Sequence, residues 1–157
     1  MAEQAKNIEM AESFLKRAWN KLDEAKKRLE SRHYPESISA SQECIELSIK
    51  AIFMLLQEKY PKKHEFSEEE FEAILEKIPE KLKYLDFHKL YLYSKFWLSF
   101  YTVAKYGLEK IGVGPEKLFE KEEAELALKH AKRCYEGASQ LENYIKIHGE
   151  KNGTGDA

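Results

Sequence analysis

The sequence predicts an all-α protein, an antiparallel up-and-down four-helix bundle with one additional short helix. Three observations carry that prediction. Of 157 residues only 11 are Gly or Pro and only four are Val or Thr, while Glu and Lys together supply 47, a composition that favours helix over strand and turn. Apolar residues recur at alternating spacings of three and four along several long stretches, which is the period of an amphipathic helix. Short corners join those stretches, so consecutive helices must fold back on one another.

The first helix, over about residues 4–31, sets Ala11, Leu15, Ala18, Leu22, Ala25 and Leu29 on one narrow seam and leaves Lys16, Arg17, Lys21, Asp23, Lys26 and Lys27 toward water. It ends where Ser31-Arg32-His33-Tyr34 breaks the pattern, and Pro35 suits the first turn of a new helix. The second helix, about 35–59, carries Ile38, Ile45, Ile49, Ile52 and Leu56 on one stripe, with Cys44, Leu47, Ala51, Met54 and Leu55 beside it. So wide an apolar surface predicts a central helix or one at a subunit interface. After a charged connector, Lys59–Glu65, the pair Ser67 and Glu70 forms a capping box, with Phe66 and Phe71 placed as a hydrophobic staple. A short helix therefore starts at Glu68 and stops at Ile78, ahead of Pro79. An aromatic helix over about 84–111 is closed by Gly112 and Gly114, and Pro115 opens a turn through Phe119. The last helix, about 121–148, carries Ala124, Leu128, Ala131, Tyr135, Ala138 and Ile145, small enough to allow close approach.

The length suits one domain, residues 1–148, followed by a polar tail, 149–157, expected to be disordered. The net charge of −2 offers no general attraction for nucleic acid or an anionic membrane, so any such contact must be local. The longest apolar run, Ala51–Leu56, is far shorter than the roughly 20 residues of a membrane span. No basic-then-apolar leader opens the chain, and Cys44 and Cys134 are too few for a disulfide-stapled scaffold. A soluble cytoplasmic protein with reduced core cysteines is expected. The Glu and Lys bias also resembles that of proteins from hot environments.

The familiar enzyme signatures are absent: no phosphate loop, dinucleotide fingerprint, nucleophile elbow or His-Glu-x-x-His helix is present. No cofactor is expected. His130 and Cys134, four apart, could take two corners of a zinc site, but no second pair accompanies them, so no metal is expected either. Gln42, Glu46 and Lys50 form a polar ladder on the second helix, read as a solvated face ahead of a binding site. The aromatic helix holds nine of the 19 aromatic residues. Within it Lys95, Trp97, Tyr101, Lys105 and Tyr106 combine π-faces, hydroxyls and ammonium groups, the set that stacks bases and neutralises phosphates. The same rings could instead fill the bundle and a homodimer seam.

The stretch Tyr34, Ser37, Ile38, Gln42, Glu46, Lys50, Ala51 resembles the signature of HEPN domains. Phe96-Trp97, Lys105-Tyr106-Gly107, Glu109, Gly112-Val113, Pro115, Leu118-Phe119 and Glu123–Leu128 resemble the second half of a prokaryotic branch of that family. The resemblance covers about residues 8–146 and implies an up-and-down bundle, a homodimer, and a tie to nucleotides or RNA. Many HEPN proteins are metal-independent ribonucleases that use Arg and, a few residues on, His near the dimer seam. In prokaryotic two-gene systems the HEPN chain is a toxin whose antitoxin partner is a small nucleotidyltransferase.

Here the chain departs from the family at the decisive place. Tyr101 stands where the arginine aligns and Tyr106 where the histidine does, and a phenol of reference pKa about 10 neither carries positive charge nor readily takes a proton at neutral pH. Arg28 with His33 match the spacing Arg-x4-His, but at the end of the first helix, where basic residues suit the helix C-terminus anyway, and Lys83 with His88 keep that spacing with Lys for Arg at the start of the aromatic helix. The leading expectation is a non-catalytic module that binds nucleotide, RNA or a nucleotidyltransferase partner. The alternatives are a ribonuclease with a substituted centre drawn from Tyr101, Tyr106, His88 and Lys95 or Lys105, and a purely structural helical dimer.

Overall fold

A computed structural model describes residues 2–56 and 67–155. The seam expected on the first helix is α1 (Ala2–Glu30), and Ala11, Leu15, Ala18, Leu22 and Ala25 are all buried along it, with Phe14 beside them. α1 closes in a Schellman turn: the N–H of His33 donates to Arg28 O at 2.8 Å and that of Arg32 to Leu29 O at 3.0 Å. Arg32 takes the left-handed position of that turn, φ 63°, where glycine is the usual occupant. The chain reverses there into α2 (Tyr34–Leu55), with Pro35 in its first turn.

α2 is the central helix. Sixteen of its 22 residues are buried, because α1, α4 (Phe87–Leu98), α5 (Tyr101–Tyr106) and α6 (Lys121–Gly155) all pack on it. Ser37 Oγ donates to Ala25 O at 2.8 Å and Cys44 Sγ lies 3.8 Å from Ala131 O, so small residues let α2 approach α1 and α6 at backbone distance. α3 (Glu68–Leu75) begins at the expected capping box, with Ser67 Oγ accepting from the Glu70 N–H and Glu70 Oε1 from the Ser67 N–H, both at 3.1 Å. Phe66, the outer half of the expected staple, and the charged connector lie outside the described residues. α3 ends at Leu75 rather than Ile78, which is buried in the bend before Pro79.

The expected single aromatic helix is in fact several pieces. A 3-10 turn spans Glu80–Leu85, α4 spans Phe87–Leu98, and α5 spans Tyr101–Tyr106. Asp86, at φ 53°, separates the turn from α4. Between α4 and α5, Ser99 Oγ donates to Phe96 O at 2.6 Å and the Phe100 N–H to Trp97 O at 3.1 Å, so the helical ladder gives way to a tight turn. α5 stops at Gly107, whose φ of 74° and ψ of −157° belong to glycine alone. Leu108 and Val113 then exchange backbone hydrogen bonds of 2.8 and 3.1 Å, closing a small loop around Gly112.

α6 (Lys121–Gly155) completes the bundle and continues past His148, where the glycine-containing tail predicts its end. Ala124, Ala127, Ala131, Cys134, Ala138 and Leu141 are inaccessible to solvent on its inner face. Among the described residues no helix is long and apolar enough to cross a membrane.

Candidate functional site

The break between α4 and α5 sorts the aromatic residues. Trp97, on α4, turns inward and is 2% exposed. Its indole N–H donates to His130 Nδ1 of α6 at 2.9 Å, and the His130 ring stacks on Tyr93 with centroids 3.8 Å apart. Tyr93 Oη in turn accepts from Arg133 at 2.7 Å. Burial first, then the positive charges of Arg133 and Lys129, push the His130 imidazole down to about 4. His130 is therefore a neutral acceptor at pH 7. Cys134 faces the core, where burial pushes its thiol well above the ordinary range, so the pair weighed as two zinc corners is divided between two environments. Among the described residues no group of three or more His, Cys, Asp or Glu could hold a metal ion.

Beyond the break, α5 presents Tyr101 half-buried, with Lys105 and Tyr106 exposed. Lys105 Nζ donates to Tyr101 Oη at 2.8 Å and sits 4.5 Å from the centroid of the same ring. The Tyr101 hydroxyl chiefly, with the carboxylate of Glu43 on α2, holds the Lys105 ammonium above its usual value. Lys95 lies instead over Tyr91, 5.6 Å from its centroid, and Tyr91 packs on Phe71 of α3 at 5.1 Å. Of the five expected ligand-binding residues, the structure thus joins Tyr101 and Lys105, sets Tyr106 beside them at the end of α5, places Lys95 on another ring and encloses Trp97.

The polar ladder is not a solvated face. Gln42 and Glu46 are 4% and 9% exposed, and Glu46 Oε1 holds Lys50 Nζ at 3.1 Å. The reason is the position of α2, which is packed against four other helices and leaves only Glu36 exposed, with Tyr34, Ser39, Glu43, Lys50 and Met54 half-buried. Gln42 Oε1 finds no hydrogen-bond partner. Of the alternative Arg-and-His spacings, Arg28 and His33 are the two ends of the Schellman bond, both exposed at a corner. Lys83 and His88 line a cavity of about 330 Å³ with Leu75, Ile78 and Phe87.

Sequence reasoning missed the Trp97–His130–Tyr93–Arg133 relay and the half-exposed Trp19. The relay joins helices more than 30 positions apart, beyond any periodic signal. Trp19 did carry one, since it lies off the apolar seam of α1.

An α-helical bundle with this short aromatic helix defines a class of protein, and the comparisons with known proteins place the chain within it. The HEPN domain family model matches residues 11–141, and the chain belongs to that family. A candidate toxin of Methanocaldococcus jannaschii is 45% identical over 49 residues, which is 31% of this chain and 32% of that relative. The match thus spans about a third of the relative's length. No solved structure matches the chain at a significant level.

Proposed function

We propose that this chain is a toxin-type HEPN module that does not cut RNA and binds nucleotide, RNA or a nucleotidyltransferase partner. The observation that carries the reading is the pairing on α5. Tyr101 and Tyr106 stand where the family resemblance would align the ribonuclease Arg and His, and the Lys105 ammonium is tied to Tyr101 at 2.8 Å. That arrangement offers a π-face and a positive charge to a ligand but neither the guanidinium nor the imidazole of the ribonuclease pair. Of the described histidines, His130 is spent as an acceptor for Trp97, and His148 stacks on Tyr144 at 3.9 Å. The likeness to a candidate toxin supports the toxin role and, with it, an antitoxin-type partner. Leu92 and Phe96, four apart on α4 and 60% and 44% exposed, supply an apolar surface for a second copy of the chain.

The test is incubation of the full chain with labelled single-stranded RNA in EDTA, beside a Tyr101→Phe, Tyr106→Phe variant. Intact RNA with both proteins is the expected result. One contact favours the second reading, a ribonuclease with a substituted centre: the Lys105 ammonium stands 2.8 Å from the Tyr101 hydroxyl, a cation beside an oxygen on the same face. Cleavage by the parent and not by the variant would establish that reading. For binding, a Lys95→Ala, Lys105→Ala variant is expected to weaken ATP or RNA affinity, and undiminished affinity would move the ligand off this face.

A further inference from the structure

The outward side of α6 carries Lys129, Lys132, Arg133 and Glu136 at steps of three, one and three, so they share one stripe. A groove flanks it on each side, and Glu136 lines both. The groove toward α1, about 230 Å³, holds Trp19, Lys26, Lys132 and Tyr135. Trp19 is 53% exposed although its ring lies 5.6 Å from that of Tyr135, so one large aromatic face is open to solvent. The groove toward α4, about 270 Å³, holds Tyr84, Lys89, Tyr93 and Arg133. Tyr84 is 67% exposed, and Tyr93 fixes the Arg133 guanidinium through one N–H at 2.7 Å, leaving the rest of its fork outward.

The charges favour an anion. Lys26, Lys129 and Lys132 make no ion pair among the described residues. Two of the three local carboxylates are engaged, Asp23 by Lys27 at 2.8 Å and Asp86 by Lys89 at 3.9 Å. A chain of net charge −2 therefore concentrates positive charge on one stripe bordered by open rings. Aromatic faces beside cations take unstacked bases and the phosphates between them. A duplex keeps its bases stacked, and a single nucleotide reaches only one groove, whereas a strand can enter both across the stripe.

We propose that the outer stripe of α6, with the two grooves that flank it, is a track for single-stranded RNA, separate from the α5 pair. This rests on the reading that RNA is a ligand of the chain, and the variants below separate the two. The probe is an oligoadenylate of about eight nucleotides, titrated into the full chain while tryptophan emission is followed. Trp97 is enclosed and bonded to His130, so quenching by a base reports Trp19, and Trp19→Phe should abolish it.

A Lys26→Ala, Lys132→Ala, Arg133→Ala variant, all outside the core, should bind at least about tenfold more weakly and lower the salt slope of log K by about two, at roughly 0.7 for each phosphate that is no longer neutralised. Lys110→Ala, an exposed lysine outside both faces, should leave the quenching unchanged. Binding that survives the triple variant and disappears in Lys105→Ala would overturn the track while keeping RNA on α5. AMP quenching as strongly as the oligomer would overturn it in favour of a mononucleotide groove. No binding by any form would overturn both the track and the RNA reading.

Discussion

Protonating His130 should destabilise the fold, and the structure sets the size and the sign. The folded imidazole is held at about 4 against an ordinary 6.5, first by burial and then by Arg133 and Lys129. From α4, Trp97 donates to Nδ1 and the neutral ring of Tyr93 covers its face, so no carboxylate on that side favours the cation. The unfolded chain takes up its proton as pH falls through about 6.5, while the folded chain resists until about 4. Stability contributed by the neutral ring is therefore complete above pH 6.5 and lost between 6.5 and 4. At full burial the gap is worth about 3.4 kcal/mol; the ring is only partly buried, and screening reduces this to about 1–2 kcal/mol. Many carboxylates titrate in the same range, so the assay is a difference: urea unfolding of the parent and of His130→Gln at pH 7.5 and pH 4. The cost of the substitution should be about 1–2 kcal/mol smaller at pH 4. A cost that is independent of pH, or larger in acid, would refute the reasoning.

Two glycines of the same loop should respond differently to alanine. A Cβ at Gly107 would lie 2.2 Å from Val113 O at φ 74°, so Gly107→Ala should lower stability by more than the roughly 1–2 kcal/mol of a left-handed residue alone; Gly112→Ala, with open space at φ 68°, should cost about 1 kcal/mol, and thermal melts compare the two. Breaking the enclosed Glu46–Lys50 pair with Glu46→Ala should cost about 3 kcal/mol, whereas Glu46→Leu with Lys50→Leu should recover most of it; chemical denaturation reads both, and equal losses would show that the pair itself, not the stranded charge, is what matters. Ser67→Ala should remove the α3 cap at about 1 kcal/mol, seen as faster amide exchange in residues 68–71.

The helices that could be read in advance are those whose neighbours repeat. The α1 seam and the inner face of α6 follow from spacing alone because each meets α2 along its whole length. The capping box at Ser67 was legible for a similar reason, since both partners lie within four residues. The α4–α5 break was not. A local hydrogen bond accompanies it, Ser99 Oγ on Phe96 O, within a run whose apolar period continues unbroken, and periodicity does not register a local competitor for a carbonyl. The ladder Gln42-Glu46-Lys50 misled in the opposite direction. Polar residues at helical spacing read as solvated, but a central helix keeps little solvated surface, and enclosure depends on where the later helices settle. Of the candidate site, the joining of Tyr101 and Lys105 was accessible from their four-residue spacing. The enclosure of Trp97 was not, because it depends on His130 of α6.

That enclosure and the break explain each other. Trp97 and Tyr101 are four residues apart, so an uninterrupted helix would set both rings on one face. Trp97 occupies the inward position and is bonded to His130 there, leaving no comparable place for a second ring with a polar tip. Phe100 packs half-buried beside it, against Phe119 at 6.1 Å, next to the tight turn through Ser99. Rotating past that turn releases Tyr101 to the surface, where its hydroxyl meets Lys105 rather than water alone. The pair on α5, the Tyr101 phenol and the Lys105 ammonium 2.8 Å apart, is thus placed by the packing of the aromatic core behind it. Substitutions at Phe100 or Phe119 should consequently change the α5 site without touching it.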